Sequence, residues 1–128
     1  MAISKSGWID VVGTDGGKTN VVAAGTASGN IDCAGANKYI TVAIKTVVIF
    51  GATPDDNVLV ELFGRDSDDA DELDTVPMYG FEIVAVAGTE ERVTRQVEVS
   101  SLDGLTVTLT NNDSADAVDV WVEIQGAY

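Results

Sequence analysis

From Tyr39 onward, apolar and polar residues alternate in twos and β-branched side chains are abundant, while no window has the three-and-four spacing of an amphipathic helix. Successive side chains of a strand point to opposite faces, so this period marks half-buried β-structure. It predicts strands over 39–50, 58–65, 78–87, 92–99, 105–110 and 118–125. The stretches between them are rich in turn formers: Gly51-Ala-Thr-Pro-Asp-Asp-Asn, an acidic run from Asp66, Gly88-Thr-Glu-Glu, Ser100-Ser-Leu-Asp-Gly and Asn111-Asn-Asp-Ser-Ala-Asp. Before Lys38 the texture changes. Seven of the 13 glycines fall there among Ala, Thr, Ser and Asn, leaving little apolar surface to offset the entropy of ordering. Residues 1–38 therefore read as an extended Gly-rich arm with short strands at 8–12 and 20–24, and residues 39–128 as the folded body. The expectation is an all-β chain forming a single β-sandwich of about seven to eight strands, jelly-roll-like rather than immunoglobulin-like, because the Cys…Trp…Cys signature is missing.

The last two predicted strands have the clearest phase. Leu105, Val107 and Leu109 alternate with threonines, and Val118, Val120, Val122 and Ile124 alternate with Asp119, Trp121 and Glu123. They read as a hairpin with one face of each strand in the core. That phase turns Trp121 away from the core, into water unless something covers it. In 58–65, Val58, Val60 and Leu62 fill one face, yet Leu59 and Phe63 share the other with Glu61. Strands apolar on both sides exceed what an isolated sandwich requires, which points to a neighbour. Arg95 shares the phase of Val93, Val97 and Val99, so its guanidinium is aimed inward, where a charge is costly unless paired. A bulge, a sheet end or nearby carboxylates would each resolve that conflict.

Charge narrows the function classes. Seven Lys and Arg against 21 Asp and Glu give a net charge of −14. A polyanion meets repulsion on such a surface, so nucleic acid is not an expected partner. The acidity lies beyond residue 53: residues 1–53 carry three acids and four lysines, whereas residues 54–128 carry 18 acids and three arginines. With no histidine, the imidazole-dependent triads and most zinc and iron sites are excluded. The lone Cys33 cannot form an intrachain disulfide and reads as an unpaired thiol of a chain that folds in reducing conditions. The longest apolar stretch, residues 46–52, is far shorter than the ~20 residues of a membrane-spanning helix, and no secretory signal is visible.

Three constellations invite chemistry. Gly13-Thr-Asp-Gly-Gly-Lys-Thr looks like a phosphate-binding loop, but the position that needs the first glycine is Val12, and no helix can follow; it reads as a glycine-rich turn. Residues 66–74 hold six carboxylates in nine positions. The EF-hand register fails there, leaving a solvated acidic loop with, at most, loose divalent-ion binding. Carboxylate pairs could serve a glycosidase, yet nothing in this small frame forms a cleft-making insertion, and no catalytic residue or cofactor is expected. The aromatics Trp8, Tyr39, Tyr79, Phe81, Trp121 and Tyr128 could form a sugar-stacking platform, although a buried protein contact uses such rings more often.

The segments Val47-Val-Ile-Phe-Gly-Ala-Thr-Pro, Val58-Leu-Val-Glu-Leu-Phe-Gly and Leu102-Asp-Gly-Leu-Thr-Val-Thr-Leu-Thr-Asn-Asn-Asp through Val118-Asp-Val-Trp-Val-Glu-Ile resemble the small β-sandwich structural proteins of tailed viruses, particularly capsid decoration or cement proteins. The resemblance implies a non-enzymatic protein made in the host cytoplasm and seated on the outer surface of a virion. It implies a symmetric homo-oligomer, a trimer first, on a lattice of major capsid protein, with no nucleic-acid or membrane partner. The arm would add a strand to a neighbour, and Trp8, Leu59, Phe63 and Trp121 would lie at the contacts. A carbohydrate-binding module, or a tail or fibre adhesion protein, is the alternative.

Overall fold

In the computed structural model, which describes residues 3–65 and 74–128, the alternating segments are strands and the turn-rich stretches connect them. Among the described residues nine strands follow one another: β1 (Ile9–Val12), β2 (Thr19–Val21), β3 (Thr26–Asp32), β4 (Thr41–Ile49), β5 (Val58–Arg65), β6 (Tyr79–Ile83), β7 (Glu90–Glu98), β8 (Gly104–Asn111) and β9 (Val118–Ala127). One sheet has the order β1-β9-β4-β7, with β2 also paired to β9; the other has the order β3-β8-β5-β6. All of these pairings are antiparallel. Taking β2 as the first strand, β2-β9-β4-β7 facing β3-β8-β5-β6 is the jelly-roll order. The expected β-sandwich is therefore the observed one, with nine strands where seven or eight were anticipated. Among the described residues there is no helix, and so none long and apolar enough to cross a membrane. Residues 66–73 of the acidic loop, with the ion-binding reading attached to them, lie outside the described residues.

The core lies where the parity places it. Val42, Ile44, Val48, Val120 and Val122 of one sheet face Val58, Val60, Leu62, Val107 and Leu109 of the other, and all are fully buried. Two readings of connectivity change. The β8–β9 segment is not a hairpin: β8 pairs with β3 and β5, β9 pairs with β1, β2 and β4, and the chain crosses between sheets at residues 112–117. Strand parity says which side chains go inward but not which sheet a strand joins. The Gly-rich segment is likewise built into the sandwich. β1 and β2 lie on β9, and β3 pairs with β8 along its whole length, from Thr26 opposite Thr110 to Asp32 opposite Gly104. The surface on which this segment lies is its own chain. Gly13-Thr-Asp-Gly-Gly-Lys-Thr forms the turn between β1 and β2, with Gly13 at φ +61°, and no helix follows it.

The crossover after β8 is closed by buried polar groups. The Asn111 amide donates to the carbonyls of Asp116 at 2.8 Å, Val21 at 3.2 Å and Val22 at 3.3 Å, and its oxygen accepts the Asp113 N–H. Asp113, also buried, accepts the backbone N–H groups of Asp55, Ala115 and Asp116. One short loop thereby ties β2, the β4–β5 connection and the start of β9.

Cys33, placed by its sequence in a flexible arm, sits fully buried at the end of β3, and burial pushes its thiol up from 9.0 to about 11. Since the thiolate is the reactive form, the native protein should give no signal with a thiol reagent at neutral pH, and full labelling only in denaturant. Rapid labelling of the native chain would show that this end of the sandwich opens.

Candidate functional site

A cleft lies at the seam where β1, an edge of the first sheet, meets β3, an edge of the second. The two edges approach closely at Gly29: a Cβ placed there would lie 2.4 Å from the Val11 carbonyl oxygen, so only glycine permits the approach. Residues of both edges line an open cleft of about 370 Å³, within the roughly 300–1,000 Å³ of small-ligand sites. Strand parity sets the floor, because Ile9 opposes the core-facing Ile124 and Ile31 opposes Leu105. Ile31 and Ile124 are buried, and Ile9 remains 47% exposed toward the opening. The wall is the ring of Tyr39, lying against Gly126 with the Tyr128 ring 6.2 Å away.

The rim comes from the end of β3 and the loop after it. Asn30 Oδ1 accepts a hydrogen bond from the Thr106 hydroxyl at 2.8 Å, and Asp32 Oδ1 accepts the Ala34 N–H at 3.1 Å. Gly35, Ala36 and Asn37 complete it. The loop is held by Cys33 N–H to the Asp103 carbonyl, by Tyr39 N–H to the Cys33 carbonyl and by the Lys38 ammonium on the Leu102 carbonyl. Two carboxylates, Asp10 and Asp32, line the cleft, and none of its lining residues is a cation. The result is a braced, amphipathic cavity with an apolar floor, one aromatic wall and a rim of amides and carboxylates. Among the described residues no cluster of metal-ligating side chains is present.

The six candidate aromatics do not form one platform; they fall into three places. Tyr39 lines the cleft, and Tyr128 stands behind it outside the lining. Tyr79 and Phe81, 5.9 Å apart, sit on β6 with the Arg95 guanidinium 5.1 Å from the Phe81 ring. Arg95 faces between the sheets as its phase predicted, but from edge strand β7, where its head reaches solvent and covers an aromatic ring. Trp8 and Trp121 share the outer face of the first sheet.

Trp121 requires a correction. It is only 7% exposed, because its own chain covers it: Nε1 donates to Asp10 Oδ1 at 2.8 Å, and the ammonium groups of Lys45 and Lys18 lie 5.2 and 5.9 Å from its ring. The cover comes from Asp10, Lys18 and Lys45, all far upstream in sequence, which parity within one strand cannot reveal. Trp121 is thus not available as an anchor for a partner. Trp8 is, at 43% exposure, with the Lys45 ammonium 4.8 Å from its ring and ion-paired to Glu123. Leu59 and Phe63 are half-buried on the outer face of the other sheet, between Thr110 and Glu82 and beside Thr106, so the four expected contact residues divide between opposite faces. What sequence reasoning missed is the cleft itself, because β3 lacks apolar alternation and its rim residues carry no motif. The signals present were Gly29 and the Tyr39-to-Gly126 pairing, both visible only in three dimensions.

No family model matches the chain, and no curated protein matches it in sequence. Solved structures do match its fold. The bacteriophage CBA120 tailspike protein 4 enzymatically active domain aligns with a TM-score of 0.62 at 12% identity, over 99% of this chain and 19% of that one. The Clostridium thermocellum xylanase 10B structure containing CBM22-1 and GH10 modules, complexed with xylohexaose, aligns at 0.59 and 14% identity, over 97% of this chain and 26% of that one. The carbohydrate-binding module of Cellvibrio mixtus lichenase 5A, in complex with cellotriose, aligns at 0.50 and 15% identity, over 94% of this chain and 88% of that one. The chain thus spans about a quarter or less of the tailspike and xylanase structures and most of the lichenase module. At these identities the likeness is one of fold, the β-sandwich.

Proposed function

We propose that this chain is a non-catalytic glycan-binding module that seats an uncharged saccharide in the cleft between β1 and β3. The observation that carries the reading is the lining: an isoleucine floor and the Tyr39 ring suit the C–H face of a pyranose, and Asn30, Asp32 and Asn37 suit its hydroxyls. The loop is braced before any ligand arrives, so little ordering entropy opposes binding. Structures of similar fold support it: a carbohydrate-binding module in complex with cellotriose, and a xylanase structure of CBM22-1 and GH10 modules complexed with xylohexaose. The tailspike likeness supports an adhesion role for the same cleft if the module is carried on a viral tail. Assembly on a capsid lattice has lost the argument from Trp121 and draws no support from the structural neighbours.

Calorimetry against a panel of neutral oligosaccharides should detect binding that Tyr39→Ala weakens about tenfold or more, a loss near 1.4 kcal/mol, with the circular dichroism spectrum unchanged. Uronate-bearing or sulfated glycans should bind more weakly, the gap narrowing as salt screens Asp10, Asp32 and the net charge of −14. An absence of binding across the panel, or binding indifferent to Tyr39, would overturn the reading.

A further inference from the structure

The cleft opens at the edge of the sheet, and its outer lip is strand β1. Within that strand the alternation sends Ile9 into the cleft and Asp10 to the outer face, with Trp8 immediately before it. Asp10 marks the continuity: it lines the cleft, yet its Oδ1 accepts the Trp121 indole N–H on the outer face, opposite Glu123 in the strand register. There the Lys45 ammonium, paired with Glu123, sits 4.8 Å from the Trp8 ring and 5.2 Å from the Trp121 ring. An ammonium over an indole is attracted to the ring face and holds it by a cation–π contact, and Trp8 keeps 43% of its surface exposed to solvent. A partly exposed aromatic ring directly before the strand that lines the cleft offers a second stacking position on the same path.

Resting on the glycan reading of the cleft, we propose that the ligand is an oligosaccharide several units long that passes over the lip at Asp10 and stacks a further sugar ring on Trp8. The cleft recognises one end of the bound stretch and Trp8 gives the length dependence. A monosaccharide or disaccharide, confined to the cleft, does not reach Trp8.

The test is calorimetric affinity as a function of chain length, from one to six units of whichever neutral glycan binds. The wild type should gain about tenfold or more between the disaccharide and the longest ligand. Trp8→Ala should abolish that gain while leaving the short ligands' affinity unchanged, and Trp8→Phe should restore most of it; thermal melts of both variants verify that each is folded. Length-independent affinity in the wild type, or a Trp8→Ala loss equal for short and long ligands, overturns this proposal and leaves the cleft reading standing. Failure to bind at any length overturns the cleft reading and this proposal with it.

Discussion

Gly126→Ala is expected to abolish binding at the cleft and to destabilise the fold. The Cβ it introduces would lie 2.4 Å from two atoms of the Tyr39 ring and 2.5 Å from a third. No real contact is that short, so the ring must leave the wall. Gly126 opposes the buried Val42 in the β9–β4 ladder and cannot move away without disturbing that pairing. Overpacking of this kind costs about 1–3 kcal/mol, readable as a lower melting temperature. The double variant Tyr39→Ala, Gly126→Ala separates the two effects: with the ring gone the added methyl has room, so stability should exceed that of Gly126→Ala alone while binding stays lost. A Gly126→Ala protein that melts and binds like the wild type would show that Tyr39 does not form the wall.

The largest loss of stability is expected at Asn111. Its amide is buried and serves three carbonyls while its oxygen holds the Asp113 N–H. In Asn111→Ala the Val22 carbonyl keeps the Gly25 N–H, but the Asp113 N–H and the Val21 and Asp116 carbonyls lose the amide, which costs about 2–4 kcal/mol, or roughly 10 °C in melting temperature for a chain of this size. The neighbouring Asp113 adds a pH signature. The backbone N–H groups of Asp55, Ala115 and Asp116 hold its carboxyl from the usual 3.8 down to about 2. An acid that binds its proton more weakly when folded contributes stability that is complete above about pH 4 and lost as pH falls through the native value. Asp55 works in the opposite sense, raised by its hydrogen bond to Asp113, and makes the net slope shallower. Melting temperature should therefore fall between about pH 4 and 2, and Asp113→Asn should flatten that limb. A wild-type limb identical to that of Asp113→Asn would remove Asp113 from the explanation.

Much of the sandwich was legible because its core strands obey parity. The predicted strand at 58–65 coincides with β5, and those near β4, β7, β8 and β9 differ at their ends by a few residues. β3 was not legible: Thr26-Ala-Ser-Gly-Asn-Ile-Asp has one large apolar side chain, and its strand identity comes from the ladder with β8. Sheet membership was illegible too, since a jelly roll sends most consecutive strands to opposite sheets but pairs others, as β5 with β6, without leaving a mark in the alternation. At the candidate site, the aromatics and the outward phase of Trp121 could be read, but their partners could not. Asp10 reaches Trp121 and Gly126 admits Tyr39 through contacts between residues far apart in the chain.

Strand β9 joins segments from both ends of the chain, bonding β1 and β2 on one side and β4 on the other. It acts as a keystone: until it is seated, β1 and β2 have no ladder, Trp121 has no roof and the lip of the cleft does not exist. Fragments lacking residues 118–127 should therefore fail to acquire binding gradually and should instead lack it altogether, and assembly of the recognition surface should coincide with the final closing step of folding rather than precede it.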